Sequence, residues 1–147
     1  MPTLPSSEIV AVAWVRQIPG FTGGVATRLP RAEQWPAAGF VTVSVVGGVA
    51  WDTNLHTPVL SVDVWGVNPD SDRPPHGRTC ALAEIVRDAV YRDDLYPMRV
   101  VPAPGDYCPA LVQSAYLVSP EPRRVPDPDQ SRSHYVLELA LNWTVVR

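Results

Sequence analysis

The chain of 147 residues contains no lysine, two cysteines and three histidines, and each scarcity argues against a class of function. All twelve basic residues are arginines, and fifteen acidic residues give a net charge of −3. A nucleic-acid-binding surface normally needs a basic stripe, so this class is not expected. Cys80 and Cys108 are too few for a disulfide framework, and the histidines are too far apart to predict a metal site. Neither a transmembrane segment nor a signal peptide is expected, because the chain lacks an apolar run of 18 residues and a signal-peptide pattern.

Catalytic motifs are equally scarce. The chain lacks the G-x-S-x-G pattern of a nucleophile elbow, and no Lys-Ser or Lys-Thr follows the glycines Gly20, Gly23 and Gly24. The stretch Asp70-Ser71-Asp72 lacks the glycine and closing glutamate of a calcium loop. We therefore predict no catalytic residue, no cofactor and no metal, and a protein that is not an enzyme. A small α+β enzyme or ligand-binding domain with an unrecognised site stays open as an alternative.

What the sequence does contain is enough apolar residues, 46%, for a single domain over 1–147. Ser6 or Ser7 can cap a first helix that reaches about Ile18, before Pro19-Gly20. This helix is apolar nearly all round, because Ile9, Val12 and Ala13 add to its main stripe. Such a helix is buried on more than one side, which first suggests oligomerisation.

Alternation of apolar and polar residues predicts the strands, and helical spacing predicts a second helix over Cys80–Val90. The resulting order α-β-β-β-α-β-β-β predicts an α+β domain, with two helices covering one face of a mainly antiparallel or mixed sheet. The last strand is the longest, and we expect it either to bend at a bulge or to project beyond the body as one arm of a long hairpin with 111–118. The predicted strands are Val25–Leu29, Phe40–Val46 (ended by Gly47-Gly48), Thr57–Val67, Met98–Val101, Leu111–Val118 and Ser133–Val146.

Seventeen prolines concentrate in the connections, which we interpret as stiff, ordered loops. Ser119–Arg132 holds four of them and is predicted to contain no regular element. Trp35 and Trp51 fall in loops, where a tryptophan either anchors a protein interface or folds back onto its own core. The sequence leaves both possibilities open.

The combined pattern resembles a known family. The residues that carry it are the strand ending in Asp63-Val64-Trp65-Gly66, the helix Cys80–Val90, the piece Arg28-Leu29-Pro30 and the long closing strand. In this order of elements the chain resembles the tail terminator proteins of long-tailed, siphovirus-type bacteriophages, including phages of GC-rich actinobacteria. Another neck component, a head–tail adaptor or stopper, is the nearest alternative.

The resemblance implies a structural virion protein of the tail and neck, assembled in the host cytoplasm. A homohexameric ring would cap the tail tube, end tail polymerisation and join the tail to the head. Its partners would be the major tail tube protein and the head–tail connector or stopper protein. Genomic DNA would pass through the ring's lumen without specific binding, which the net charge of −3 favours.

Two sets of residues follow as candidates for these contacts. For the ring interface we expect surplus apolar surface of the first helix and an exposed edge of the last strand; the residues are Ile9, Val12, Ala13, Glu138, Asn142 and Thr144. For docking to the rings above and below we expect the loops Trp51–His56, Asn68–Gly77 and Ser119–Arg132; the residues are Trp51, Asp52, Asn54, Asp70, Asp72, Arg73, Arg123 and Arg124.

Overall fold

Two α-helices and seven strands, with two short 3-10 turns at Ala32–Gln34 and Asp93–Leu95, make up the computed structural model in the residues it describes, which are 2–50, 54–103 and 105–147. The helices are α1 (Ser7–Gln17) and α2 (His76–Tyr91). Neither has the length and apolar character needed to cross a lipid bilayer. The predicted α+β class is confirmed. The strands are β1 (Gly24–Ala26), β2 (Phe40–Ala50), β3 (Leu55–Val67), β4 (Met98–Val100), β5 (Ala110–Leu117), β6 (Arg123–Arg124) and β7 (Arg132–Val145).

The strands form one mixed sheet in the order β1-β2-β3-β7-β5-β4, and β6 pairs with β7 beyond the end of β5. Only β1 and β2 run parallel; the other pairs are antiparallel. The predicted neighbours are confirmed, because β2 pairs with β3 and β5 pairs with β7. The long β2–β3 hairpin and the β5–β7 pair form most of the sheet.

The last strand lies in the middle of this sheet, so the expected exposed edge on it is wrong. On one side β7 pairs with β3 from Leu55↔Thr144 to Val67↔Arg132. On its other side it pairs with β5 and then with β6. The alternating apolar residues of β7 explain this position, since Leu137, Leu139, Leu141 and Trp143 are all almost completely buried.

The core lies between the two helices and one face of the sheet. Ser6 caps α1, because its Oγ accepts a hydrogen bond from the Ile9 amide at 3.3 Å. Trp143 Nε1 donates to Ser7 Oγ at 3.0 Å, which ties the start of α1 to the centre of the sheet. The largest fully buried side chains of this core are Trp14, Trp143, Leu60, Leu82, Leu137, Leu139 and Leu141.

Helix α1 is covered mostly by its own chain, which overturns the expected surplus of apolar surface. The buried residues of the helix are Val10, Ala11, Ala13, Trp14 and Val15. Strands β1, β2 and β4 all contact it, so more than one side is enclosed within a single chain. Only Ile9 and Val12 of its apolar residues stay partly exposed.

Strand β2 does not end at Gly47-Gly48, where the sequence predicted a stop. It continues to Ala50 through a bulge between Val45 and Gly47. Gly48 has φ +110° and its α-carbon lies against the Thr57 carbonyl, so the pair permits a close backbone approach rather than a chain break. The predicted loop 51–56 is correspondingly wrong in part, because Leu55 and His56 belong to β3.

Candidate functional site

The predicted docking loops fall at the two opposite ends of the strands. β3 runs for 13 residues, which corresponds to about 40 Å of extended chain. Asn54 directly precedes its first residue, whereas Trp51 and Asp52 of the same predicted loop lie outside the described residues. Asn68–Gly77 follows its last residue, Val67. This residue pairs with Arg132, the last residue of Ser119–Arg132, which we call the Pro-rich segment. Two of the three predicted loops therefore meet at one end, and Asn54 of the third lies at the other.

Where the two loops meet, they line an open pocket of about 310 Å³. The loop that leads into α2 contributes Pro74, and α2 contributes His76. The predicted loop 68–77 is wrong for its last two residues, since His76 and Gly77 form the start of α2. The Pro-rich segment contributes the rest of the lining, which is Arg124, Val125, Pro126, Asp127, Gln130 and Arg132. The two loops thus form one continuous surface at this end.

The acidic loop residues are exposed and sit in turns that the side chains of the neighbouring Asn68 and Ser71 stabilise. Asp70 and Asp72 are exposed, as is Arg73. The Asp70 amide donates to Asn68 Oδ1 at 3.2 Å, and the Arg73 amide donates to Ser71 Oγ at 2.9 Å. These short local bonds hold the loop in a defined shape, as we expected of the connections.

The Pro-rich segment is attached to the sheet, and the prediction that it contains no regular element is wrong for Arg123 and Arg124. These two residues form β6, which pairs with Val136 and Tyr135 of β7. Both arginines are exposed. The docking residues predicted on this loop are therefore presented from the edge of the sheet rather than from an unattached loop.

Trp35 is one of the two loop tryptophans, and it folds back onto the chain. It is 9% exposed, and its Nε1 donates to the Pro30 carbonyl at 2.9 Å. The Arg132 guanidinium lies over its ring at 5.4 Å from the centroid and also contacts Asp129 Oδ2 at 3.5 Å. Hydrogen bonds from Ser131 lower the pKa of Asp129, which keeps this carboxylate charged beside the arginine.

The predicted ring-interface residues do not form one surface. Glu138, Asn142 and Thr144 point away from the helices, whereas Ile9 and Val12 belong to the helical side. Ala13 is 3% exposed, so the prediction that it contacts a neighbour is wrong. It packs instead against the chain's own core.

Hydrogen bonds across three strands organise the face that points away from the helices. Asn142 of β7 accepts from Thr57 Oγ1 at 2.7 Å and donates to Ser114 Oγ at 2.8 Å. Gln113 Nε2 of β5 donates to Thr144 Oγ1 at 3.3 Å. This polar face therefore has a fixed arrangement of side chains across β3, β7 and β5.

The same face carries a half-buried cluster that the sequence analysis missed. His134 Nε2 and Asp63 Oδ1 are 2.7 Å apart, and the Trp65 ring stacks on His134 with centroids 3.7 Å apart. Trp65 Nε1 donates to Thr42 Oγ1 at 3.2 Å, and Ser61 Oγ donates to Asp63 Oδ2 at 3.3 Å. A histidine–carboxylate pair can hold and orient a proton. The pattern of alternation placed Asp63 on this face, but only the pairing of β3 with β7 brings His134 to it from 71 positions away.

The described residues contain no group of three or more His, Cys, Asp or Glu side chains arranged to hold a metal ion. Cys80 and Cys108 are free, partly exposed thiols. The candidate functional features of the described residues are therefore surfaces. They are the loops at both strand ends, the polar face of the sheet and the helical face. No family model matches the sequence, and no curated protein matches it significantly.

Proposed function

We propose that this chain is a structural virion protein that forms a ring on a phage tail tube, ends tail polymerisation and joins the tail to the head. The observation that carries this proposal is the separation of its loops to the two ends of the strands. Asn68–Gly77 and Ser119–Arg132 share one end, and Asn54, which precedes β3, lies at the other. A subunit with its strands along the ring axis would offer one end to the tail tube protein and the other to the head–tail connector.

The polar face of the sheet suits a lumen through which DNA moves without binding. Strands β2, β3 and β5 contain no arginine, and β7 has only Arg132, at its start. The acidic groups on this face are Asp63 and Glu138, both partly exposed. With the helices outside and this face inside, phosphates would meet hydroxyl, amide and carboxylate groups along β2, β3, β5 and β7. The arginines of the sheet lie at its margins, in β4, in β6 and at the start of β7.

Deleting the gene from the phage genome that encodes it tests the proposal. A terminator leaves tails of uncontrolled, excessive length when it is lost, whereas loss of a stopper or adaptor leaves normal tails and heads that leak DNA. We expect overlong tails in electron micrographs, and normal length after complementation with the unaltered gene. Normal tails with leaking heads would assign the protein to the neck instead, and normal particles would refute both assignments.

A second experiment tests the docking loops themselves. Alanine at Asp70, Asp72 and Arg73, and separately at Arg123 and Arg124, changes only exposed side chains, so the fold should persist. We expect phage with either set to assemble heads and tails that join poorly. The matched control is alanine at the exposed Glu84 and Asp88 of α2, which lie on neither loop. Unchanged infectivity with both loop sets would exclude them as docking surfaces.

A further inference from the structure

On each side of the sheet a short terminal strand covers only part of its neighbour and leaves the rest of that neighbour's edge open. The first open stretch is the second half of β2. β1 pairs with β2 only as far as Thr42, and on the side away from β3 no described strand lies beside the stretch Val43–Ala50. Glu8 Oε1 accepts a hydrogen bond from the Val45 amide at 3.3 Å, so the carboxylate occupies this amide near the end of the stretch that is closest to β1. Farther out Val46 is 58% exposed and Val49 is 53% exposed.

The second open edge belongs to β5. β4 pairs only with Ala110–Val112, and in the part of the chain that the structure describes no strand covers the outer edge of Ser114–Leu117. Tyr116 is 49% exposed here, as is Val118 just beyond the strand. An open edge exposes unpaired backbone amides and carbonyls, which another strand can bind.

Neither edge carries the charged or proline residues that usually keep strand edges apart. Residues 43–50 read VSVVGGVA and residues 113–118 read QSAYLV, without a charge or a proline in either. Each strand has one bulge, at Val46 and at Gln113. The two edges therefore match each other in polarity, and neither repels the other.

The pairing register places the two edges at the same level along the strands. Val45 pairs with Leu60, Leu60 with Leu139, and Leu139 with Leu117. One step outward, Gly47 pairs with Val59, Val59 with Ala140, and Ala140 with Tyr116. At the outer end Val49 is level with Ser114, because Val49 pairs with Thr57, Thr57 bonds to Asn142, and Asn142 pairs with Ser114.

Strand direction fits the same arrangement. Three successive antiparallel pairs separate β2 from β5, so these two strands run in opposite directions. A second copy, rotated about an axis parallel to the strands and not shifted along it, would set its β5 antiparallel to β2 of the first. A repeated rotation without a shift closes into a ring, whereas a shift would make a helical filament.

We propose that a second copy of this chain covers the β2 edge, with Gly47–Val49 of one subunit pairing with Ser114–Tyr116 of the next. The contact rests on the proposed function, which requires a ring, and assigns the strands that build it. It replaces the interface expected from α1 and β7. Both edges are used once per subunit, so a closed ring leaves neither open.

Disulfide trapping tests the contact. In a background of Cys80→Ser and Cys108→Ser, the pair Val49→Cys and Ser114→Cys places two thiols on directly opposed residues, within the range a disulfide spans. We expect mild oxidation of purified protein, or of phage particles with the variant, to give covalent multimers that a reductant dissolves. Each single cysteine should give none beyond background.

The matched control moves one thiol along the edge. Val49→Cys with Val118→Cys separates the thiols by four residues, or about 13 Å, which no disulfide can bridge. The contact would be overturned if the control pair formed multimers as readily as the matched pair. It would also be overturned if the matched pair formed none, both in purified protein and in phage particles. Tail length reports separately on the function: overlong tails on gene deletion without trapping would leave the terminator function standing and refute this contact alone. Trapping of the matched pair combined with tails of normal length after gene deletion would support this contact and refute the terminator function.

Discussion

Gly66 of β3 is restricted to glycine because two buried hydroxyl groups lie against it. Thr79 and Ser133 are 0% exposed and hydrogen-bonded to each other, and a β-carbon at Gly66 would collide with Thr79 Oγ1. We expect Gly66→Ala to lower the free energy of unfolding by about 1–3 kcal/mol, as overpacking of a core usually does. Urea unfolding followed by circular dichroism measures it.

The control for this substitution is Gly77→Ala. A β-carbon at Gly77 meets no atom within 4 Å, and the residue lies in the first turn of α2. Alanine there should be neutral or stabilise by up to about 1 kcal/mol. Equal losses at the two positions would mean that the hydroxyl pair does not restrict Gly66.

Tyr96 makes the free energy of unfolding depend on pH in the alkaline range. Its Oη donates to the Ala89 carbonyl at 2.7 Å, and burial raises the pKa of Tyr96 from 10.0 to about 12. The folded state therefore binds this proton more tightly than the unfolded state does. The resulting stabilisation is complete below pH 10.0 and is lost as the pH rises towards 12.

We expect Tyr96→Phe to lose less free energy of unfolding than the unaltered protein between these two pH values. Urea unfolding at a series of pH values gives the comparison. Tyr116→Phe, at an exposed tyrosine, should follow the unaltered protein. Identical curves for all three proteins would contradict the assignment to Tyr96.

Single residues also show where sequence reasoning stopped. Alternation along one strand places Asp63 and Trp65 on the face away from the helices, and the structure agrees. It does not say which residue faces them, since His134 comes from a strand 71 positions later. Trp35 was left undecided between surface anchor and core, because its hydrogen bond to Pro30 depends on the path of a loop. Long-range partners need the strand order, which no local pattern contains.

Helix α1 shows how much of an apolar helix one chain can enclose. Val10 is 0% exposed, whereas Val12 is partly exposed beside a shallow cavity of about 280 Å³. We expect Val10→Ala to lower the free energy of unfolding by about 2 kcal/mol, from two buried methyl groups and the cavity they leave. Val12→Ala should cost less than half as much. Equal costs in thermal unfolding would show that a neighbouring copy covers Val12 as fully as the core covers Val10.

The elements themselves were largely predictable, and their arrangement was not. Helical and strand periodicities identified α1, α2, β3 and β7 to within a few residues. The Gly47-Gly48 pair was wrongly taken as a strand end, because glycine serves both chain breaks and close approaches within a hairpin. The length of β7 suggested a projecting arm, yet its buried alternating leucines require neighbours on both sides. Its position in the sheet is a consequence of pairings between distant segments.

At the scale of the whole molecule, the strand ends and the sheet edges differ in charge. The loops at the strand ends carry charged residues such as Asp70, Arg73 and Arg124, whereas the stretches 43–50 and 113–118 carry none. Charged exposed loops suit contacts that form late and must be specific, and uncharged strand edges suit permanent pairing between copies. In the proposed ring, this division would allow a subunit to join its neighbours first and dock to other rings afterwards.

Blocking one edge at a time tests whether the two edges are complementary. Val49→Lys places a charge on the β2 edge and leaves β5 intact, and Tyr116→Lys does the opposite. Lysine on a strand edge opposes pairing, and every proposed contact needs one β2 edge and one β5 edge. Each variant alone should therefore stay monomeric. A mixture of the two retains one intact edge on each, so we expect it to form dimers and nothing larger. Sedimentation velocity distinguishes these species, and Ala81→Lys on the exposed side of α2 should assemble like the unaltered protein. Dimers from either variant alone would mean that an edge pairs with its own kind, which excludes the closed head-to-tail ring.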